Sequence, residues 1–242
     1  MIVFCRSSRC SQRLRITDRA GTFDVPCPTC LHSFRVEIPR AAVPTHSFNA
    51  EYVVYDLETT GLSPDREEII QIAAMRFRNG KMAGSETFFS FARPERSISS
   101  FITSYTGIRN SDVANARRPH EVLPEFSRFV GAARLIAHNG YRFDSKFLDA
   151  TCRRHRLTSL EVGSIDSINL SKRIFGSAVG TGHSLDRLLS RLGISGSSHT
   201  RHDARGDVEL LGRAVEQMWN RLSLDQKCSG IPMHSTTIPI SN

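Results

Sequence analysis

Short, continuously apolar runs alternate along this chain with stretches in which apolar residues recur every three or four positions. Tyr52-Val53-Val54-Tyr55, with Leu57 beyond, has the β-branched and aromatic composition of a buried strand. Glu68 to Phe77 is a second such run; Asn79-Gly80 behind it is a hairpin signal, and Thr87-Phe88-Phe89-Ser90-Phe91 returns as a third, antiparallel strand that Pro94 closes. Ala133 to Ala137 reads as a fourth strand and Ile165-Asp166 as the end of a fifth.

The helical period fills the gaps. Pro119 to Val130 carries Val122, Phe126, Phe129 and Val130 on one face. After Asp144, the residues Phe147, Leu148, Thr151 and Cys152 turn inward while Arg153, Arg154 and Arg156 form a solvated face, with holding a phosphate chain as the alternative. One helix runs from Ser167 through Leu170 and Ile174, and another opens at His183-Ser184-Leu185 and ends at Gly193. Ala204, Val208, Leu211, Val215 and Met218 mark a last inward stripe. Ile98 to Arg109 reads as irregular, with Thr106-Gly107-Ile108 as a turn, and Leu222 to Asn242 has no period.

Residues 1–40 differ from the rest. Leu14-Arg15-Ile16 and Phe34 to Ile38 alternate as short strands around an Asp18-Arg19-Ala20-Gly21 turn, and four of the six cysteines lie here: Cys5, Cys10, Cys27 and Cys30. Thiolates in such pairs can close a tetrahedral Zn²⁺ site, replacing a core that forty residues cannot build. Ala41 to Ser47, with Pro44, reads as a linker. The expected organisation is a small module at 1–40, a linker at 41–50, a main domain at 51–219 and a flexible tail at 220–242 containing an uninvolved Cys228.

Composition narrows the class. Hydrophobic content of 39% and charged content of 23% fit a soluble globular protein. A net charge of +8 favours a polyanionic partner such as nucleic acid; seven arginines against three acids in residues 1–40 contribute +4 of it. No run approaches the roughly 20 apolar residues of a membrane span, and the first residues lack the apolar core of a signal peptide. A cytoplasmic location follows as the expectation, with the cysteines as thiols or metal ligands rather than disulfides.

The candidate chemistry lies in four acids. Asp56 and Glu58 are two apart at the end of a strand, so they share a face and repel each other unless a cation sits between them. Asp144 follows a strand end at the start of a helix, and Asp207 borders the inward stripe of the last helix. His202 precedes Asp207 by five residues, which is roughly 140° beyond one helical turn, so it belongs to the loop before that helix. His199 is farther away. Several carboxylates with one histidine suit phosphodiester hydrolysis by two cations about 3.5–4 Å apart.

Three segments carry a resemblance. Asp56-Leu57-Glu58-Thr59-Thr60-Gly61, His138-Asn139-x-x-x-Phe143-Asp144 and His202-x-x-x-x-Asp207 resemble the motifs of the DnaQ-like (DEDDh) 3′→5′ exonucleases, of the type of the proofreading epsilon subunit of bacterial DNA polymerase III. Thr106-Gly107-Ile108 and His183-Ser184-Leu185-Asp186 are similar to secondary signatures; Arg109 departs where Thr is commoner, and Asp203 stands where the sister class has Tyr. The resemblance implies an α/β, RNase H-like mixed five-stranded sheet flanked by helices. It implies that Asp56, Glu58 and Asp207 hold one Mg²⁺ or Mn²⁺, that Asp56 and Asp144 serve a second ion, and that His202 is the general base. Thr59, Thr60, Leu62, His138 and Asn139 would line the path of the terminal nucleotide. The implied partners are single-stranded nucleic-acid 3′ ends, DNA favoured, and a DNA polymerase or repair protein. An RNA-trimming exoribonuclease of the same fold and a polymerase-binding module with weak activity are the alternatives. The first forty residues resemble small zinc ribbons, with a first Cys pair spaced by four residues instead of two.

Overall fold

Two hairpins begin the chain in the computed structural model, which describes residues 2–7, 10, 12–15, 21–38, 51–177, 182–196, 202–222 and 231–240. β1 (Ile2–Phe4) pairs antiparallel with β2 (Arg13–Arg15), and β3 (Gly21–Pro26) with β4 (Ser33–Ile38). The expected linker, His199 and Cys228 lie outside the described residues.

The main sheet grows from β5 (Tyr52–Thr59), which pairs antiparallel with β6 (Ile69–Arg78); β6 pairs in turn with β7 (Lys81–Phe91). Three helices follow: α1 (Ser100–Thr106), α2 (Asn110–Val113) and α3 (Pro119–Val130). β8 (Arg134–Ala137) then lies parallel to β5, α4 (Asp144–Arg154) crosses over, and β9 (Ser159–Asp166) lies parallel to β8. The remaining elements are α5 (Ser167–Phe175), α6 (Leu185–Leu192), α7 (Ala204–Arg221) and β10 (Met233–Pro239). Among the described residues, no helix is long and apolar enough to cross a membrane.

The pleat of β5 decides which way the acids point. Val53, Tyr55 and Leu57 pack with Phe126, Phe147 and Leu148 of α3 and α4, whereas Tyr52 and Val54 pack with Leu211, Val215 and Trp219 of α7. Side chains alternate along a strand, so Asp56 and Glu58 continue the second set and face the side that carries α7.

Four expectations need correction. The strands β7-β6-β5-β8-β9 form the expected mixed five, but β1, β2 and β10 widen the sheet to eight. The tail is not wholly flexible: β10 pairs with β9 from Met233 opposite Ile165 to Pro239 opposite Ser159, burying Thr236, Thr237 and Ile238. Its β-branched residues fit a pleated surface, but the threonine hydroxyls hide the apolar alternation. The segment read as irregular holds α1, with Ser99 accepting from the Ile102 N–H and Gly107 ending the helix at φ 76°. Finally, β7 starts at Lys81 and α7 runs past 219 to Arg221.

Candidate active site

The pairing of β8 with β5 stops at Val54, which leaves the far end of β5 open on that side. There Asp144, the first residue of α4, accepts the Leu57 N–H at 3.2 Å. Asp56, Glu58, Asp144, Asp207 and His202 all line one cleft of about 230 Å³, together with Thr59, Leu62, His138 and Asn139. Ligand atoms of Glu58, His202 and Asp207 lie within 4.8 Å of one another. A larger cavity of about 490 Å³ between β6, β7 and α7 is walled by Met75, Met82, Phe88, Phe89 and Arg205 and contains no such cluster of acids.

Glu58, Asp144 and Asp207 are 9%, 2% and 6% exposed. Burial pushes the Asp144 carboxyl up to about 7 against the pull of backbone N–H donors, and the Asp166 charge adds to the rise. Buried acids this close repel one another, and a cation between them would reverse the shift. The crowded oxygen donors fit hard divalent ions.

The surrounding structure fixes these groups. His202 takes the left-handed conformation at φ 61°, just before α7, and its ring stacks on Tyr105 with centroids 4.1 Å apart. Two residues on, the Ala204 N–H donates at 2.7 Å to Oε1 of Gln71, the cross-strand partner of Glu58. On the other side, Asn139 has φ 59° and donates its N–H to Asp166 at 3.0 Å, while His138 Nδ1 lies 2.9 Å from the Ser167 hydroxyl. A Cβ on Gly140 would come within 2.5 Å of Ala137, so only glycine lets this turn fold back on β8.

Thr60 is not brought to the cleft wall. Its hydroxyl donates to Glu67 at 2.6 Å and accepts the Glu68 N–H at 2.9 Å, pinning the loop that carries the exposed Leu62. The arginines of α4 serve the same loop: Arg154 donates to the carbonyls of Pro64 and Glu67 at 3.0 and 3.2 Å, and Arg153 pairs with Asp65 at 2.9 Å. That face was expected to be solvated, or to help hold a phosphate chain.

Sequence reasoning missed Tyr105, Gln71, Asp166 and Ser167 as supports of the site. Asp166 had a visible signal, a helix N-cap directly after a strand; it accepts the Ile168 N–H at 3.0 Å. Gln71 was marked only by being polar inside an apolar run, and it is fully buried.

The four cysteines converge as well. Sγ atoms of Cys5, Cys10, Cys27 and Cys30 lie within 4.8 Å of one another, with Cys5–Cys30 at 3.4 Å and Cys10–Cys27 at 3.7 Å. These separations are too long for disulfides, which need about 2.05 Å, and near the ~3.8 Å edge of a tetrahedron built on Zn–S bonds of about 2.3 Å. Burial alone would raise the Cys27 thiol, but N–H groups of Cys30 and Thr29 and the neighbouring thiols hold it down to about 6. Cys5, buried without as much support, is pushed up to about 12. The donor set fits zinc, and Cys10, the outlier in spacing, joins the other three.

Comparison with known proteins agrees with this geometry. The family model described as Exonuclease (RNase_T) matches residues 53–214. A PolC-type DNA polymerase III from Latilactobacillus sakei is 38% identical over 164 residues, covering 68% of this chain and 11% of that protein. A DNA polymerase III subunit epsilon-like protein from Rhodobacter capsulatus is 41% identical over 167 residues, covering 67% of this chain and 23% of that protein. The chain therefore spans less than a quarter of the length of either relative. In fold it is similar to the nuclease domain of 3′hExo, a DEDDh family member bound to rAMP, with TM-score 0.64, 20% identity and coverage of 78% of this chain and 98% of that one. Exonuclease X in complex with 5′ overhanging duplex DNA aligns with TM-score 0.57, 22% identity and coverage of 74% and 99%. The chain belongs to the exonuclease family, and its three motifs resemble those of the DnaQ-like, DEDDh-type members.

Proposed function

We propose that this protein removes nucleoside 5′-monophosphates from the 3′ end of single-stranded nucleic acid, DNA in preference to RNA. The observation that carries the reading is the gathering of Asp56, Glu58, Asp144, Asp207 and His202 in one cleft. Asp56, Glu58 and Asp207 would hold one Mg²⁺ or Mn²⁺, with Asp56 and Asp144 serving a second. Bound there, such ions supply positive charge for the attacking water and the leaving oxygen. His202 accepts the proton of that water, a task suited to an imidazole ring. Thr59, Leu62, His138 and Asn139 orient the terminal nucleotide, while the Thr60–Glu67 bond and the α4 arginines hold the loop that carries Leu62.

The single-stranded end rests on the resemblance of the three motifs to those of proofreading exonucleases. The preference for DNA rests on the two polymerase relatives. They also support a DNA polymerase or repair protein as partner, and a cytoplasmic workplace. Cys5, Cys10, Cys27 and Cys30 would hold a structural zinc ion.

The test is degradation of 5′-labelled single-stranded DNA, duplex DNA and RNA with Mg²⁺ or Mn²⁺, using Asp56→Ala as control. Stepwise shortening of single-stranded DNA is the expected result. Faster trimming of RNA would move the reading to an exoribonuclease. No shortening of any strand by the wild type would leave only a binding module.

A further inference from the structure

We propose that Tyr105 is a positioning residue for His202, holding the imidazole in the cleft by ring stacking. The inference rests on the exonuclease reading for its catalytic meaning, but the stack itself is independent of that reading. The rings lie 4.1 Å apart at 30°, and both residues line the cleft. Tyr105 is 55% exposed, whereas Ile102 and Thr106 of the same helix are buried.

Everything around Tyr105 keeps it there. Ile98, Ile102, Ile108 and Val113 bury the other side of α1 and its exit. The Thr106 hydroxyl donates to the Ile102 carbonyl at 3.0 Å and accepts the Ile108 N–H at 3.1 Å. Gly107, at φ 76°, closes the helix with its N–H on the Thr103 carbonyl. The Thr106-Gly107-Ile108 motif thus stops α1 with Tyr105 in its last turn, over the cleft.

His202 needs such a support. It precedes α7, so no helical ladder restrains its ring, and the Gln71–Ala204 bond fixes only the backbone beyond it. The two side-chain torsions remain. A general base works only within hydrogen-bond reach of its proton, and a displacement of about 1 Å is costly. Stacking against a rigid aromatic selects one ring orientation without using either ring nitrogen. The stack leaves the ring nitrogens to the cleft, where the Glu58 and Asp207 carboxylates lie within 4.8 Å.

The experiment combines kinetics with a spectroscopic readout. On single-stranded DNA, Tyr105→Ala is expected to lower kcat about three- to tenfold, the range of a lost aromatic contact, with KM within about twofold. Tyr105→Phe keeps the ring and is expected to restore kcat. In protein as purified, without added Mg²⁺ or Mn²⁺, the His202 ring protons, identified by their loss in His202→Ala, should show a ring-current shift in wild type and Tyr105→Phe that collapses in Tyr105→Ala. A raised KM with unchanged kcat would mean that Tyr105 serves the nucleobase instead, and would overturn the proposal. An unmoved His202 signal in Tyr105→Ala would overturn it too. A wild type that trims no strand removes the exonuclease reading and the catalytic role with it, whereas the ring shift then still reports the stack.

Discussion

The chain contains two clusters of metal-ligating groups, and they are held together in opposite ways. The acids of the cleft come from β5, α4 and α7, elements locked by two apolar layers that include Tyr55, Phe126 and Phe147 on one side and Phe77, Leu211 and Trp219 on the other. The thiols come from two short hairpins whose buried cluster, among the described residues, is Val3, Cys5, Cys10, Leu14, Cys27, Phe34 and Val36. Three of those seven are cysteines, so little apolar surface is left to oppose the conformational entropy of the hairpins. In the cleft the fold imposes the repulsion and a metal would relieve it. In the ribbon the metal would supply the fold. The lesson is that the same signature, ligands crowded within 4.8 Å, reports function in one place and stability in the other.

Removing metal should separate the two most sharply at the ribbon. Structural zinc binding is worth about 10–16 kcal/mol in zinc-finger peptides, more than so small a core supplies. Purified protein is expected to contain one zinc per chain by elemental analysis, and Cys27→Ser to contain none. Limited proteolysis of Cys27→Ser should then cut within residues 1–40 while leaving 51–221 intact. Among the described residues, β1 meets β9 at a single residue pair, Ile2 with Ser159, and the exposed Arg13–Asp149 pair at 3.5 Å is weak, so these contacts alone would not hold the ribbon folded. A zinc-free ribbon as protease-resistant as the wild type would erase the contrast.

At the cleft, the opposite pattern is expected. Asp56→Ala should reduce trimming by about a thousandfold or more, because the carboxylate that would hold both cations at the reacting phosphate is lost. Its melting temperature without added metal should equal or exceed that of the wild type, since one of several repelling acids is gone. His202→Ala removes a proton acceptor without touching the acids, and kcat should fall about a hundredfold or more. Melting curves beside rates read both effects. A large loss of stability in Asp56→Ala would mean that the acids build the fold, as the thiols do.

Legibility in the sequence followed the same division. Asp56, Glu58, Asp144, Asp207 and His202 could be placed from strand pleat, helix period and motif spacing, because each sits on a regular element or directly at its end. The cysteines were found from spacing alone. What escaped was the support: Gln71 acts by facing Glu58 across β5 and β6, and Tyr105 by reaching His202 across the cleft, and neither relation has a local signal. Thr60 was misjudged for a related reason. Its neighbours Thr59 and Leu62 line the cleft, but its hydroxyl turns to Glu67, a partner that becomes visible only when the loop is folded. β10 was hidden because Thr236 and Thr237 are polar by composition yet buried by pairing; the Thr236 hydroxyl finds Ser145 at 2.8 Å.

The smallest effect tests how far the rigidity of the cleft extends outward. Arg153 and Arg154 end the helix that Asp144 begins, and both bind the loop between Gly61 and Glu68. Exposed ion pairs and hydrogen bonds of this kind contribute about 0.2–1 kcal/mol each, so neither arginine is needed for folding. They instead limit the freedom of Leu62, which is 84% exposed and lies at the mouth of the cleft. The double variant Arg153→Ala, Arg154→Ala is therefore expected to raise KM about two- to fivefold with kcat nearly unchanged, because the loop must be ordered anew each time a strand end binds. Salt distinguishes this from direct phosphate contact. If the arginines touched the strand, KM of the wild type would rise more steeply with salt than that of the variant. Parallel salt dependences would show that they act through the loop, extending the preformed character of the cleft to its rim.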